Sequence, residues 1–208
     1  LFNQLQITKA ERSVLIRGSG VDTNEFFKTT DKNKIPVVML ASRMLWDKGI
    51  AEFVEVANRA YRNNVKAKFI LIGDTDIDNP MSVPVSVLNQ WVNEDYIDWK
   101  GYCNDMPKTL SSASIICLPS YREGLPKVLL EAAAIGRPLV ATDVSGCREI
   151  VRDGRNGILV NLKDVDSLYN GVITLVANEK MRKEMGNNSR KLVESEFSSD
   201  IINSQTIR

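Results

Sequence analysis

Short apolar runs rich in Val and Ile alternate along this chain with longer stretches in which apolar residues recur at helical spacing. IPVVMLA (35 to 41), IAEFVEVANRAYR (50 to 62) and AKFILIG (67 to 73) predict a strand, a helix and a strand. The rhythm continues through VLNQWVNED (87 to 95), YIDWKG (96 to 101), MPKTLSSA (106 to 113), SIICLP (114 to 119), PKVLLEAAAIG (126 to 136) and RPLVATD (137 to 143). CREIVRD and GILVNL follow, and VDSLYNGVITLVAN and EKMRKEMGNNSRKLVESEF close the chain as two helices. Strands apolar on both faces and alternating with helices imply an α/β fold: a doubly wound parallel sheet with right-handed crossovers. Residues 1 to 34 read as a lead-in, with a helix tail, a short VLIRGSGVD strand and turn, and the polar TTDKNK stretch, ahead of a domain over 35 to 208.

In such sheets ligands bind beyond the carboxyl ends of the strands. The loops there are SRMLWDKG (42 to 49), GDTDIDNP (73 to 80), GYCNDMP (101 to 107), PSYREGLP (119 to 126) and DVSGCRE (143 to 149). In the fourth, Pro126 suits a first helical position, because its fixed φ is helical and its missing N–H needs no partner. The amides of Gly124, Leu125, Lys127 and Val128 then lie at a helix start, where unpaired N–H groups and the positive dipole end favour an anion. Gly124 lets a ligand approach the backbone closely. Glu123 stands before that helix and Glu131 inside its second turn; ionised carboxylates accept hydrogen bonds from hydroxyls, of which sugars have many. The plainer alternative makes Glu123 a cap for those amides and Glu131 a solvated partner of Lys127.

Arg43 and Lys48 bracket the first loop on the same sheet edge, where cations can hold a diphosphate and stabilise charge as it leaves. Gly73 opens the second loop, and Tyr102 in the third can lie against a nucleobase. A phosphorylated sugar, such as a nucleoside diphosphate sugar, combines the two features these loops offer. DTDID (74 to 78) begins like a calcium loop, but Asn79 and Pro80 replace its turning glycine and Val85 falls where its bidentate glutamate belongs. A two-aspartate magnesium clamp and a polar capping loop remain as readings of that run.

Charge and composition narrow the classes. In 208 residues, 27 Lys and Arg balance 26 Asp and Glu, so no overall field draws the chain to nucleic acid. There is no histidine, which removes the commonest general base and most metal sites. Cys103, Cys117 and Cys147 are scattered and odd in number, which fits a reducing cytosol. No apolar stretch is long enough to span a membrane, and LFNQLQITKAERSV does not read as a signal peptide.

The string from SRMLWDKG through SYREGLPKVLLEAAAIGRPLVATDVSGCREIV resembles the C-terminal, donor-binding, Rossmann-like domain of GT-B-fold glycosyltransferases of family 4, and within it the bacterial enzymes of capsule and surface glycan assembly. Its E-x7-E motif is matched by Glu123 and Glu131. The resemblance implies that Glu123 contacts the transferred sugar and Glu131 the ribose, that Arg43 and Lys48 hold the diphosphate, and that the Gly124 and Leu125 amides meet sugar and phosphate. Gly73, Tyr102, Pro126 and Val128 complete the implied donor site. It further implies a retaining transferase with no metal or other cofactor, a UDP-sugar donor, and a glycan or lipid-linked acceptor. Complete members carry an N-terminal domain with the acceptor site, so this chain is expected to be a cytoplasmic fragment reaching the membrane's inner face only through that missing half. A GT-B-fold UDP-sugar epimerase and a non-catalytic nucleotide-binding module are the competing readings.

Overall fold

The computed structural model of the chain describes residues 18–206. Six strands form one all-parallel sheet: β1 (Val37–Ala41), β2 (Lys68–Ile72), β3 (Asp98–Trp99), β4 (Ile115–Leu118), β5 (Leu139–Thr142) and β6 (Gly157–Val160). Their spatial order is β3-β2-β1-β4-β5-β6. The order reverses between β1 and β4, which leaves a crevice at their carboxyl ends for a ligand.

Strand periodicity of two sorts the core into layers. From β1, Val38 and Leu40 join α1 (Ile50–Arg62), α2 (Val85–Asn93) and α6 (Val165–Ala177) on one face. Met39 and Ala41 join α3 (Met106–Ser111) and α4 (Lys127–Ile135) on the other, together with both ends of a π-helical turn (Val193–Phe197) that follows α7 (Glu179–Leu192). β4 divides likewise, Ile115 and Cys117 against Ile116 and Leu118, all buried. Helix α4 is apolar almost all round, and a helix of that kind is driven into the interior. Every residue from Leu129 to Ile135 is buried, Glu131 included.

Several boundaries differ from the sequence pattern. YIDWKG yields only a two-residue strand at Asp98–Trp99, at the sheet's edge. CREIVRD contributes only the end of a four-residue helix, α5 (Ser145–Arg148). The last helical pattern divides into α7, the π turn and α8 (Ser199–Thr206). Of the lead-in, the helix tail and the VLIR segment lie outside the described residues. Gly18 and Ser19 form a turn, Val21 bridges Ser198, and Val21 and Phe26 are buried in the core layer that holds α4. Arg190 of α7 secures this stretch by donating to the carbonyl oxygens of Phe26 (2.9 Å) and Ala134 (2.8 Å).

Candidate functional site

Loop contacts at the carboxyl edge explain how distant residues converge. After β1 the chain makes a short 3-10 turn (Trp46–Lys48) and enters α1 through Gly49, whose φ is +73°. A Cβ at Gly49 would overlap the Pro119 carbonyl, with the carbonyl carbon at 2.8 Å, so the loops after β1 and β4 touch backbone to backbone only because this residue is glycine. The Tyr121 N–H donates to the Asp47 carbonyl at 2.8 Å, and the Tyr121 hydroxyl donates to Glu52 at 2.6 Å. Burial, then the Glu52 bond, pushes the Tyr121 hydroxyl up to about 12. Lys163 lies 4.5 Å above its ring.

That contact delivers a cation to a carboxylate. Lys48 Nζ stands 2.7 Å from Glu123 Oε1, with side chains 19% and 13% exposed. The structure therefore does not use Glu123 as a cap: Pro126 is the N-cap of α4, with extended backbone, and no side chain satisfies the helix start. The sequence expectation that Pro126 is the first helical residue is off by one, since α4 begins at Lys127 and the Pro126 carbonyl accepts from Leu129 at 3.0 Å. Among the described residues the amides of Gly124, Leu125, Lys127 and Val128 take no partner. These unpaired donors lie at the positive end of α4. No atom lies within 4 Å of where a Gly124 Cβ would stand, so that stretch of backbone faces open space.

Beside this helix start lies a hollow of about 580 Å³ lined by, among others, Arg43, Gly73, Asp74, Asp76, Tyr102 and Val128. Its walls are tied together: the Gly73 N–H donates to Gly101 at 2.7 Å, the Tyr102 N–H to Asp74 at 3.0 Å, and the Trp99 indole to the Gly73 carbonyl at 2.8 Å. The Tyr102 ring is 68% exposed, so its face is available for stacking. Arg43 pairs with Asp76 at 2.8 Å. Asp74 and Asp76 of the DTDID run thus serve the loops as polar partners. Among the described residues no group of three or more His, Cys, Asp or Glu side chains is arranged to hold a metal ion.

Glu131 sits deeper in α4. It is absent from the lining of that hollow, one turn of α4 beyond Val128, only 6% exposed, with Lys127 at 3.4 Å. Its carboxyl is pushed above its ordinary value of 4.5 chiefly by burial, with Lys127 opposing and Glu25 adding to the shift. The folded chain consequently holds this proton to higher pH than the unfolded chain does, and stability falls as pH rises from 4.5 through the raised value. Glu131→Gln should therefore melt a few degrees above the wild type at neutral pH, with the gap closing below about pH 4, as read by thermal unfolding at both pH values. The lost Lys127 pair costs little, because Lys127 is 73% exposed.

Sequence reasoning marked the loop after β5 but not its decisive residue. A Cβ on Gly146 of α5 would fall 2.5 Å from the Glu123 carbonyl oxygen and 2.7 Å from its carbon, so this glycine lets α5 support the glutamate loop. Asp47 and Tyr121 were likewise passed over. A tyrosine directly before the R-E-G run was the available signal.

A family model described as glycosyl transferases group 1 matches residues 21–192. The chain belongs to this family. It is 32% identical over 164 residues to an N,N'-diacetylbacillosaminyl-diphospho-undecaprenol alpha-1,3-N-acetylgalactosaminyltransferase of Campylobacter jejuni, covering 79% of this chain and 42% of that protein. It is 28% identical to the capsular polysaccharide biosynthesis glycosyltransferase CapM of Staphylococcus aureus, covering 80% and 43%. The chain thus spans less than half the length of these relatives. Among solved structures, Anabaena Alr3699/HepE in complex with UDP superimposes with a TM-score of 0.85 at 23% identity, covering 99% of this chain and 59% of that one. A likeness at that identity establishes a shared fold, the doubly wound parallel sheet. Among the described residues no helix is long and apolar enough to cross a membrane.

Proposed function

We propose that this chain is the donor-binding half of a retaining, metal-independent glycosyltransferase that takes a sugar from a UDP-sugar and delivers it to a glycan or lipid-linked acceptor held by a separate N-terminal domain. The observation that carries the reading is the pairing of Lys48 with Glu123 beside the unpartnered amides of α4, at the crevice where the strand order reverses. The glycosyltransferase relatives from Campylobacter and Staphylococcus support the reaction class, the UDP-bound Anabaena structure supports the donor, and the chain's share of its relatives supports its being one part of a larger enzyme.

In this reading the uridine lies in the hollow against Tyr102 and Gly73, and the diphosphate passes between Arg43 and Lys48. The Gly124, Leu125, Lys127 and Val128 amides receive its oxygens. Breaking the anomeric bond leaves negative charge on the departing UDP, and preset cations with a helix dipole stabilise that charge more than they stabilise the ground state. Glu123, already aligned by Lys48, accepts from sugar hydroxyls, and Glu131, one turn further along α4, accepts from the ribose hydroxyls. Half a cleft excludes little water and positions no acceptor, so transfer requires the other domain.

Calorimetry with UDP tests this. Arg43→Ala and Gly124→Ala should each weaken UDP by about tenfold, ~1.4 kcal/mol. Gly124→Ala is the sharper probe. Nothing within 4 Å meets the added methyl, so folding should be unchanged and any loss of affinity reports the ligand's approach to the backbone. Wild-type affinity in both variants would remove the diphosphate from this crevice.

A further inference from the structure

A second cationic cavity lies at the opposite end of the sheet, lined by residues at the amino ends of β4 and β5. It encloses about 260 Å³, and its wall includes Lys28, Asp31, Arg137, Glu179, Arg182 and Lys183, four cations against two carboxylates. Two of the cations are interior: Arg137 is 1% exposed and Arg182 is 8% exposed. Arg137 donates to the Thr29 carbonyl (2.9 Å), the Thr29 hydroxyl (2.7 Å) and the Ser111 carbonyl (2.7 Å). Arg182 donates to the Leu175 and Val176 carbonyls at 2.7 and 2.9 Å, closing the carboxyl end of α6. Those carbonyls satisfy part of each fork, but among the described residues neither guanidinium has a carboxylate at ion-pairing distance, and the Nε of each is buried without an acceptor.

Interior charge without a counter-charge is costly, and here two such charges share one cavity. Glu179 is held chiefly by Lys183 at 2.5 Å and interacts more weakly with Arg182. Asp31 acts on Arg137 from beyond ion-pairing distance, so the cavity's two carboxylates leave its four cations incompletely neutralised. The Lys28 stem crosses Gly136, its Cγ 3.3 Å from where a Cβ would stand. Thr29, Thr30, Asn33 and Ser114 add neutral polar groups to the wall. A small tetrahedral oxyanion suits such a surface, because its oxygens accept from forked guanidinium and ammonium donors together.

We propose that this cavity is a binding site for a phosphate group, separate from the nucleotide crevice and independent of the roles assigned there. Titration calorimetry of the chain saturated with UDP, which fills the crevice, with inorganic phosphate at fixed ionic strength should show one equivalent bound. Lys28→Ala/Lys183→Ala should weaken it at least tenfold while Lys48→Ala leaves it unchanged. Lys32→Ala/Lys34→Ala, which removes the same charge from exposed positions outside the cavity, should also leave it unchanged. A parallel arm uses phosphatidylcholine vesicles with and without phosphatidylglycerol. Binding to phosphatidylglycerol vesicles alone, with the same variant pattern, would assign the group to a lipid headgroup, whereas saturation by inorganic phosphate assigns it to a free anion. No binding in either arm, binding lost in Lys48→Ala, or equal loss in both lysine pairs would overturn the site.

Discussion

Lys48→Ala in the complete enzyme should reduce sugar transfer by at least about 100-fold, because it removes a preset cation from the position where the leaving diphosphate gathers charge. A second effect accompanies the first. Glu123 loses its partner at 2.7 Å while only 13% exposed, so part of the loss comes from an unpaired carboxylate in a poorly hydrated place. With both side chains partly solvated, the stability cost should be about 1–3 kcal/mol, below that of breaking a wholly buried pair. The two effects separate in Lys48→Ala/Glu123→Gln, which should recover most of the melting temperature and none of the activity. Recovery of both would mean that Lys48 acts only by neutralising Glu123 and that neither side chain is needed for transfer.

Gly49→Ala should be the more damaging change to the fold of the site. At φ +73° an L-residue is strained, and the new methyl would collide with Pro119, whose Cγ as well as carbonyl carbon lies 2.8 Å away. The loops after β1 and β4 must then part, which breaks the Tyr121 to Asp47 hydrogen bond and withdraws Lys48 from Glu123. We expect a loss of roughly 2–4 kcal/mol in stability by denaturant unfolding, with UDP affinity falling in parallel. A folded Gly49→Ala protein with unchanged UDP affinity would show that the two loops need not touch for the crevice to work.

The fold was legible because its strands are buried on both faces and leave unbroken apolar runs such as IPVVMLA and SIICLP, while helices such as IAEFVEVANRAYR keep their 3.6-residue period. The edge strand was less so. At Asp98–Trp99 pairing on one side alone sustains only two residues of strand. The site was legible where chemistry is local, as in the unpartnered amides around Gly124. It was opaque where chemistry depends on contact between loops. The Lys48 to Glu123 pair spans 75 residues. Nor does the spacing of Glu123 and Glu131 reveal that one carboxylate is tied to a lysine of another loop while the other is carried inward by the apolar turns of α4. The roles of Gly146 and Gly49 arise from backbone surfaces meeting, which a linear pattern does not record.

The central claim is that the crevice between β1 and β4 holds a diphosphate between Lys48 and the amino end of α4. A crystal structure of the chain with UDP tests it most directly. Phosphate oxygens should lie at hydrogen-bonding distance, about 2.7–3.2 Å, from Lys48 Nζ and from amides within 124 to 128, with the base against Tyr102. UDP seated elsewhere on the molecule, or a β-phosphate touching neither Lys48 nor those amides, would contradict it.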